Sequence, residues 1–152
     1  MSCISDEVSY DSSSGKFFWI KPKNGRRVGV EVGSVNTTGY RVICVNRKKY
    51  LAHRLAWFLY YGEWPNSDLD HINGVKDDNR IDNLRKCSKS QNQMNRKARG
   101  YSYHKASKKW QARIGYGNKE TYLGWFDNES DAKQAYESAK IKYHKEFSYK
   151  EE

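Results

Sequence analysis

Asp70-His71, Asn83 and Asn92 are the side chains of this sequence best suited to chemistry. A carboxylate and a carboxamide oxygen are hard donors that suit Mg2+ or Mn2+. A neutral imidazole beside them can take a proton from water. Such a set can hydrolyse a phosphodiester, the cation holding the charge on the departing oxygen while the histidine prepares the nucleophile. One geometric condition applies. Neighbours on a strand point to opposite faces, so Asp70 and His71 serve one site only where the strand twists, bulges or frays.

The surrounding pattern supplies elements to position them. Leu69-Asp70-His71-Ile72 is a short strand, Asn73-Gly74 a strong turn signal, and Ile81 to Lys86 a candidate return strand. Ser88-Lys89-Ser90-Gln91 reads as an S-x-x-Q capping box that starts a helix through Asn92, Gln93 and Met94. This strand–strand–helix unit has little core of its own. The apolar segment Tyr50–Tyr61, stopped by Gly62 and Pro65, is a helix able to supply one. Upstream, Phe17–Ile20, Val28–Val32 and Tyr40–Val45 are β-branched or aromatic runs separated by turns such as Lys23-Asn24-Gly25, which predicts a small antiparallel sheet. Downstream of the basic linker Lys97–Gly100, three strands are expected at Tyr101–Tyr103, Trp110–Ile114 and Thr121–Phe126, joined by turns at Lys105–Lys108 and Tyr116–Lys119. A helix capped by Asn128 follows, with Ala132, Ala135, Tyr136, Ala139 and Tyr143 on one face. The expected fold class is α+β, in three parts: residues 1–49, 50–97 and 98–152.

Composition limits the partners. The chain has 152 residues, 14% of them aromatic, and a formal charge of +10. Residues 1–52 hold nine Lys/Arg against four Asp/Glu, residues 97–152 twelve against eight, and residues 53–96 seven against six. Basic flanks suit a polyanion and a near-neutral middle suits a collected cation. No apolar stretch is long enough to span a bilayer, and Met1–Tyr10 lacks the pattern of a signal peptide. Cys3, Cys44 and Cys87 show no CxxC spacing, so a reduced cytosolic protein without disulfides or structural zinc is expected.

The strings A-H-R-L-A-W, D-H-I-N-G, N-R-I-D-N-L-R and S-Q-N-Q-M-N-R, spanning Tyr50–Lys97, resemble phage and intron-encoded HNH endonucleases of the H-N-N branch. That resemblance implies a ββα-metal fold, with Asp70 and Asn92 as metal ligands and His71 as general base. It also implies that Asn83 fixes the imidazole or the hairpin through hydrogen bonds. His53 is read as a packed histidine and as the next candidate base. Asn73 and Asn79 are read as turn residues, Arg80 and Arg85 as phosphate contacts or solvated side chains, and Asn95 and Arg96 as possible DNA contacts. Asp77, Asp78 and Asp82 lack the spacing and final Glu of an EF-hand.

Gly100–Phe147, with G-Y-S-Y-H-K, K-W-Q-A-R-I and Y-L-G-W-F, resembles the AP2 domain, which implies a three-stranded sheet packed on one helix and reading the major groove. Ser102, His104, Gln111, Arg113 and Tyr122 would face DNA, and Lys105, Lys108 and Lys119 would lie nearer to phosphates. Trp110, Leu123 and the helix alanines are read as core. The expected function is a metal-dependent, site-directed DNA endonuclease of homing type. It would act on double-stranded DNA as a monomer, nicking one strand per active site, with one Mg2+ or Mn2+ and no small-molecule cofactor. The alternatives are a non-catalytic AP2-type regulator with a decayed nuclease motif and, third, an RNA-directed nuclease.

Overall fold

The computed structural model describes residues 4–22, 25, 27–95, 99–116 and 119–147. The turn at Lys23-Asn24, the linker residues Lys97-Ala98, the turn residues Gly117-Asn118, Arg96 and Cys3 lie outside the described residues. Among the described residues the fold is mixed, with small antiparallel sheets and three α-helices, and the chain divides into two compact units, residues 1–86 and 87–152.

In the first unit, β1 (Val8–Asp11) pairs with β2 (Lys16–Trp19), and β3 (Ser34–Val35), β4 (Arg41–Val45) and β5 (Lys48–Leu51) form a three-stranded sheet in that order. Helix α1 (Ala52–Tyr61) follows β5 directly and ends at Gly62, whose left-handed backbone lets its N–H bond Phe58 O. β6 (Asp68–His71) pairs with β7 (Leu84–Cys87) across a long loop that closes in a 3-10 turn at Ile81–Asn83. Phe17, Ile43, Leu55, Val8 and Val45 are fully buried, and Leu69, Ile81 and Leu84 of the β6–β7 hairpin join the same core. Helix α1 thus supplies the apolar surface that the hairpin lacks. Each such fully buried aliphatic side chain is worth about 1.5–3 kcal/mol relative to exposure.

Three expectations change here. Val28–Val32 is not a regular strand, because Gly29 sits at φ 77° within it; the run is joined to β2 by the bridge of Glu31 to Phe18 and by backbone bonds of Gly29 and Val30 to Trp19 and of Val32 to Phe17. Lys48–Leu51, expected in part as the helix start, is β5 instead, since its pairing with β4 outweighs helical continuation. Val8–Asp11 is a strand that the sequence reading passed over.

In the second unit, α2 (Lys89–Met94) begins with the expected capping box. Gln91 N donates to Ser88 Oγ at 3.2 Å, and Ser88 N donates back to Gln91 Oε1 at 2.8 Å. β8 (Tyr101–His104), β9 (Lys109–Tyr116) and β10 (Lys119–Phe126) form an antiparallel sheet with β9 central. One face carries Ala112 and Ile114 against α3 (Glu129–His144), which contributes Tyr136 and Ala139. Asn128 Oδ1 accepts from Asp131 N at 2.9 Å and opens that helix. At its far end the buried His144 donates from Nε2 to Gly115 O at 2.7 Å. Among the described residues no helix is long and apolar enough to cross a membrane.

Candidate active site

Strand β6 buries both Asp70 and His71, at 5% and 4% exposure, and gives them different partners. The Arg85 guanidinium on β7 donates to Asp70 Oδ2 from Nε at 2.9 Å and from Nη2 at 2.7 Å. Both groups of that ion pair are shielded from water, where charge-assisted bonds are strongest. His71 turns toward Asn79, with 3.4 Å between Nε2 and Asn79 Oδ1. Asn79 is itself buried, and its Nδ2 donates to Asp77 O at 2.9 Å. A carbonyl only accepts, so the amide orientation is determined and Oδ1 faces the imidazole. The neutral ring therefore carries its hydrogen on Nε2 and its lone pair on Nδ1.

Burial holds the His71 pKa below the ordinary histidine value, against the opposing pull of Asn79 and of the carboxylates of Asp70, Asp78 and Asp77. At neutral pH this histidine is uncharged. Its neighbours are aromatic. The His53 ring meets it edge to face at 5.2 Å between centroids, and Tyr40 lies 6.0 Å away. His53 is also buried, its pKa pushed down to about 3 by desolvation, by His71 and by Arg54. Its Nδ1 has no hydrogen-bond partner among the described residues, and it packs against Tyr40 at 5.4 Å.

The loop between the strands is stitched from within. Asn83 Oδ1 accepts from Asn73 N at 3.0 Å, its Nδ2 donates to Asp78 O at 2.8 Å, and its carbonyl accepts from Ile72 N at 2.8 Å. Asn83 thus spends its described bonds on the hairpin, while Asn79 is the amide beside the imidazole. Asn73 Nδ2 donates to Asp78 Oδ2 at 2.8 Å, and Arg80 clasps the same carboxylate at 2.8 and 2.6 Å. Asp78 is held below the usual carboxylate range, chiefly by Arg80. Arg41 of β4 takes Asp77 with two bonds at 2.7 and 2.9 Å, and Lys76 reaches Thr38 O at 2.9 Å. Tyr10 of β1 donates its hydroxyl to Asn79 O at 2.7 Å. Asn79, read from the sequence as a turn residue, is the neighbour of His71, and Arg85, read as a phosphate contact or a solvated side chain, is the partner of Asp70. The string N-R-I-D-N-L-R contained both, but only the fold distinguishes them from loop polar residues.

The remaining candidates lie in the second unit. Asn92 is half-buried on α2. Ser102, Gln111, Arg113 and Tyr122 stand on the sheet face opposite α3, since Gln111 pairs with Ser102 and Arg113 with Tyr122. His104 is exposed at the end of β8 and Lys119 at the start of β10, while Lys105 and Lys108 are exposed in the β8–β9 turn. A bulge between Tyr122 and Gly124 turns Trp125 onto that face beside Gln111, a residue the sequence reading had not placed there. Arg113 donates to Gln111 Oε1 at 2.5 Å and reaches Glu120 Oε2 at 3.3 Å, so the face is preordered. Among the described residues no three His, Cys, Asp or Glu side chains gather as a metal site. A site built on one carboxylate and one carboxamide is of another kind.

Comparison with known proteins gives one family match and several partial relatives. Residues 50–94 match the family model described as HNH endonuclease. The match supports an HNH endonuclease domain over that stretch. AP2-like ethylene-responsive transcription factor AIL7 of Arabidopsis thaliana is 37% identical over 78 residues, which are 50% of this chain and 16% of that protein. AP2-like ethylene-responsive transcription factor PLT2 of the same plant is 49% identical over 47 residues, 30% of this chain and 8% of that protein. AP2-like ethylene-responsive transcription factor CRL5 of Oryza sativa subsp. japonica is 47% identical over 47 residues, 30% of this chain and 7% of that protein. The chain therefore spans under a fifth of the length of the curated relatives it matches. No solved structure matches the chain.

Proposed function

We propose that this chain is a metal-dependent, site-directed DNA endonuclease of homing type, in which His71 is the general base. The observation that carries this reading is the buried, uncharged imidazole of His71. It is oriented by Asn79 and lies inside the stretch that matches the HNH endonuclease model. His71 takes the proton of the attacking water, its ring oriented by Asn79. Asn83 holds the loop that carries Asn79.

Asp70 is the residue of the first unit that would hold the cation, and Asn92 keeps the role of second ligand from the sequence resemblance alone. The donor chemistry fits Mg2+ or Mn2+. A carboxylate offers about four acceptor sites over two oxygens, so orientation by Arg85 and ligation are compatible. When bound, the cation supplies Lewis-acid stabilisation of charge on the phosphodiester. The sheet β8–β10 presents Ser102, His104, Gln111, Arg113 and Tyr122 to base edges, and Lys105, Lys108 and Lys119 to phosphates. One active site per chain nicks one strand, and the protein acts as a monomer in the cytoplasm of a bacterial or phage-infected cell.

Nicking of supercoiled plasmid tests this directly. Cleavage is expected with Mg2+ or Mn2+ and none in excess EDTA. His71→Ala should cut about 10²- to 10⁴-fold more slowly while binding DNA as wild type does. Asn92→Ala is the cleaner ligand variant, because Asp70→Ala also takes the carboxylate from Arg85. Full cleavage in EDTA would overturn the proposal. The names of the relatives favour a second reading, a DNA-binding regulator without catalysis. DNA binding with no nicking in either metal would select it.

A further inference from the structure

The C-terminal half of α1 and the segment after it carry two clusters of aromatic rings, one around Trp64 and one around Tyr61, that the cleavage chemistry does not use. Gly62 turns the chain so that Trp64 folds back and stacks on Phe58, with centroids 4.5 Å apart and planes 9° from parallel. Trp64 also lies nearly parallel to Tyr50, at 5.7 Å and 15°. One helical turn apart, Trp57 and Tyr61 pack at 4.4 Å, and Tyr60 meets Tyr61 edge-on at 4.8 Å. Phe58 and Tyr50 pack against the core cluster, which anchors the group. Arg54 donates to Pro65 O at 2.9 Å and to Ser67 O at 3.2 Å, which fastens the segment that holds Trp64. Even so, Tyr60 and Tyr61 are each 52% exposed and Trp64 is 42% exposed.

Two ammonium groups border these rings. Lys48 Nζ lies 5.3 Å from the Tyr50 ring, and Lys86 Nζ lies 5.1 Å from the Trp57 ring. Glu63 is the acid beside them, 3.6 Å from Lys86. Rigid, exposed rings edged by cations are the two parts of a surface on which bases stack while the backbone phosphate is neutralised. Pairing with a second copy would set the same lysines against each other. From this charge pattern we infer that Tyr60, Tyr61 and Trp64 form a stacking platform for unpaired bases of a nucleic-acid strand, with Lys48 and Lys86 on its phosphates. The inference rests on nucleic acid as the substrate class but not on its cleavage.

Fluorescence anisotropy of the full chain with a labelled oligonucleotide, single-stranded and as a duplex, in EDTA, tests it. The Tyr60→Ser/Tyr61→Ser double variant and Trp64→Ala should each lose roughly tenfold or more in single-strand affinity, the range of base–aromatic stacking, and less than threefold on duplex. Trp64→Phe should restore most of the single-strand binding. Because Tyr60 and Tyr61 are half-exposed, their variant keeps the core, and an unchanged thermal melt checks that. Unchanged single-strand affinity in that variant, or an equal loss on both substrates, overturns the platform. A shift in sedimentation with no change in affinity also overturns it, and assigns the patch to a second copy. If wild type fails to nick plasmid while the single-strand loss appears, the cleavage reading falls and the platform stands.

Discussion

His71, the proposed general base, lies against a second buried histidine, His53, and this arrangement predicts sensitivity to acid. His53 is neutral in the folded state down to about pH 3, whereas an unfolded histidine takes its proton near 6.5. Between those values the unfolded chain binds more protons, so stability rises with pH across the window. The contribution is full above about pH 6.5 and is lost as the pH falls toward 3. His71, also shifted down, adds to it in the same direction. Urea unfolding should therefore show stability dropping on the order of 3 kcal/mol between pH 7 and pH 4. His53→Leu, which fills similar space without titrating, should flatten that slope. The same slope in His53→Leu as in wild type would exclude His53 as the source.

At the scale of elements, the site depends on a hairpin distant in sequence. Gly15, in the β1–β2 turn at φ 72°, is buried against the loop that carries Asn79. A Cβ there would stand 2.5 Å from Arg80 N and 2.7 Å from Asn79 C. Only glycine allows both that backbone conformation and that approach. Ser12 O accepts from Ile81 N at 3.2 Å, and the Tyr10 hydroxyl, kept protonated chiefly by burial, grips Asn79 O. The β1–β2 hairpin is thus the support of Asn79, the residue that faces the His71 imidazole. Gly15→Ala should cost about 2–3 kcal/mol in stability through overpacking. Tyr10→Phe should cost about 1 kcal/mol and lower kcat more than it raises KM, as measured by plasmid nicking with a parallel urea melt. A Tyr10→Phe enzyme with kcat unchanged would show that Asn79 needs no such support.

For the whole molecule, the charge of +10 predicts association that weakens steeply with salt. Arg113 and Lys105 separate the two ways in which that charge can act. Arg113 sits on the exposed sheet face, ordered by Gln111 and Glu120, whereas Lys105 is exposed in the β8–β9 turn. Arg113→Ala should narrow the preference for target over random DNA by about tenfold. Lys105→Ala should weaken binding to all sequences alike and reduce the salt slope by about one unit. Competition binding at several salt concentrations distinguishes the two effects. Equal loss of discrimination from both substitutions would remove the sheet face as the base-reading surface.

What the sequence determined by itself is what neighbours in the chain decide. The capping box at Ser88 and Gln91, the Asn128 cap and the stop of α1 at Gly62 each need only residues within one helical turn. The alternation of Trp110, Ala112 and Ile114 against Gln111 and Arg113 is equally local, because every second strand residue shares a face. The candidate base was legible for a related reason: His71 stands beside Asp70 in a short string with its own turn signal. Its orienting group was not. Asn79 meets His71 only because Gly15 and Tyr10 hold its loop, more than sixty residues away in sequence. Arg85 became the partner of Asp70 only when β6 and β7 paired. His53 acquired its low pKa only on burial against a ring from another element. Tertiary structure decided these because desolvation and hydrogen-bond pairing depend on which surfaces meet, and that depends on the packing of the whole unit.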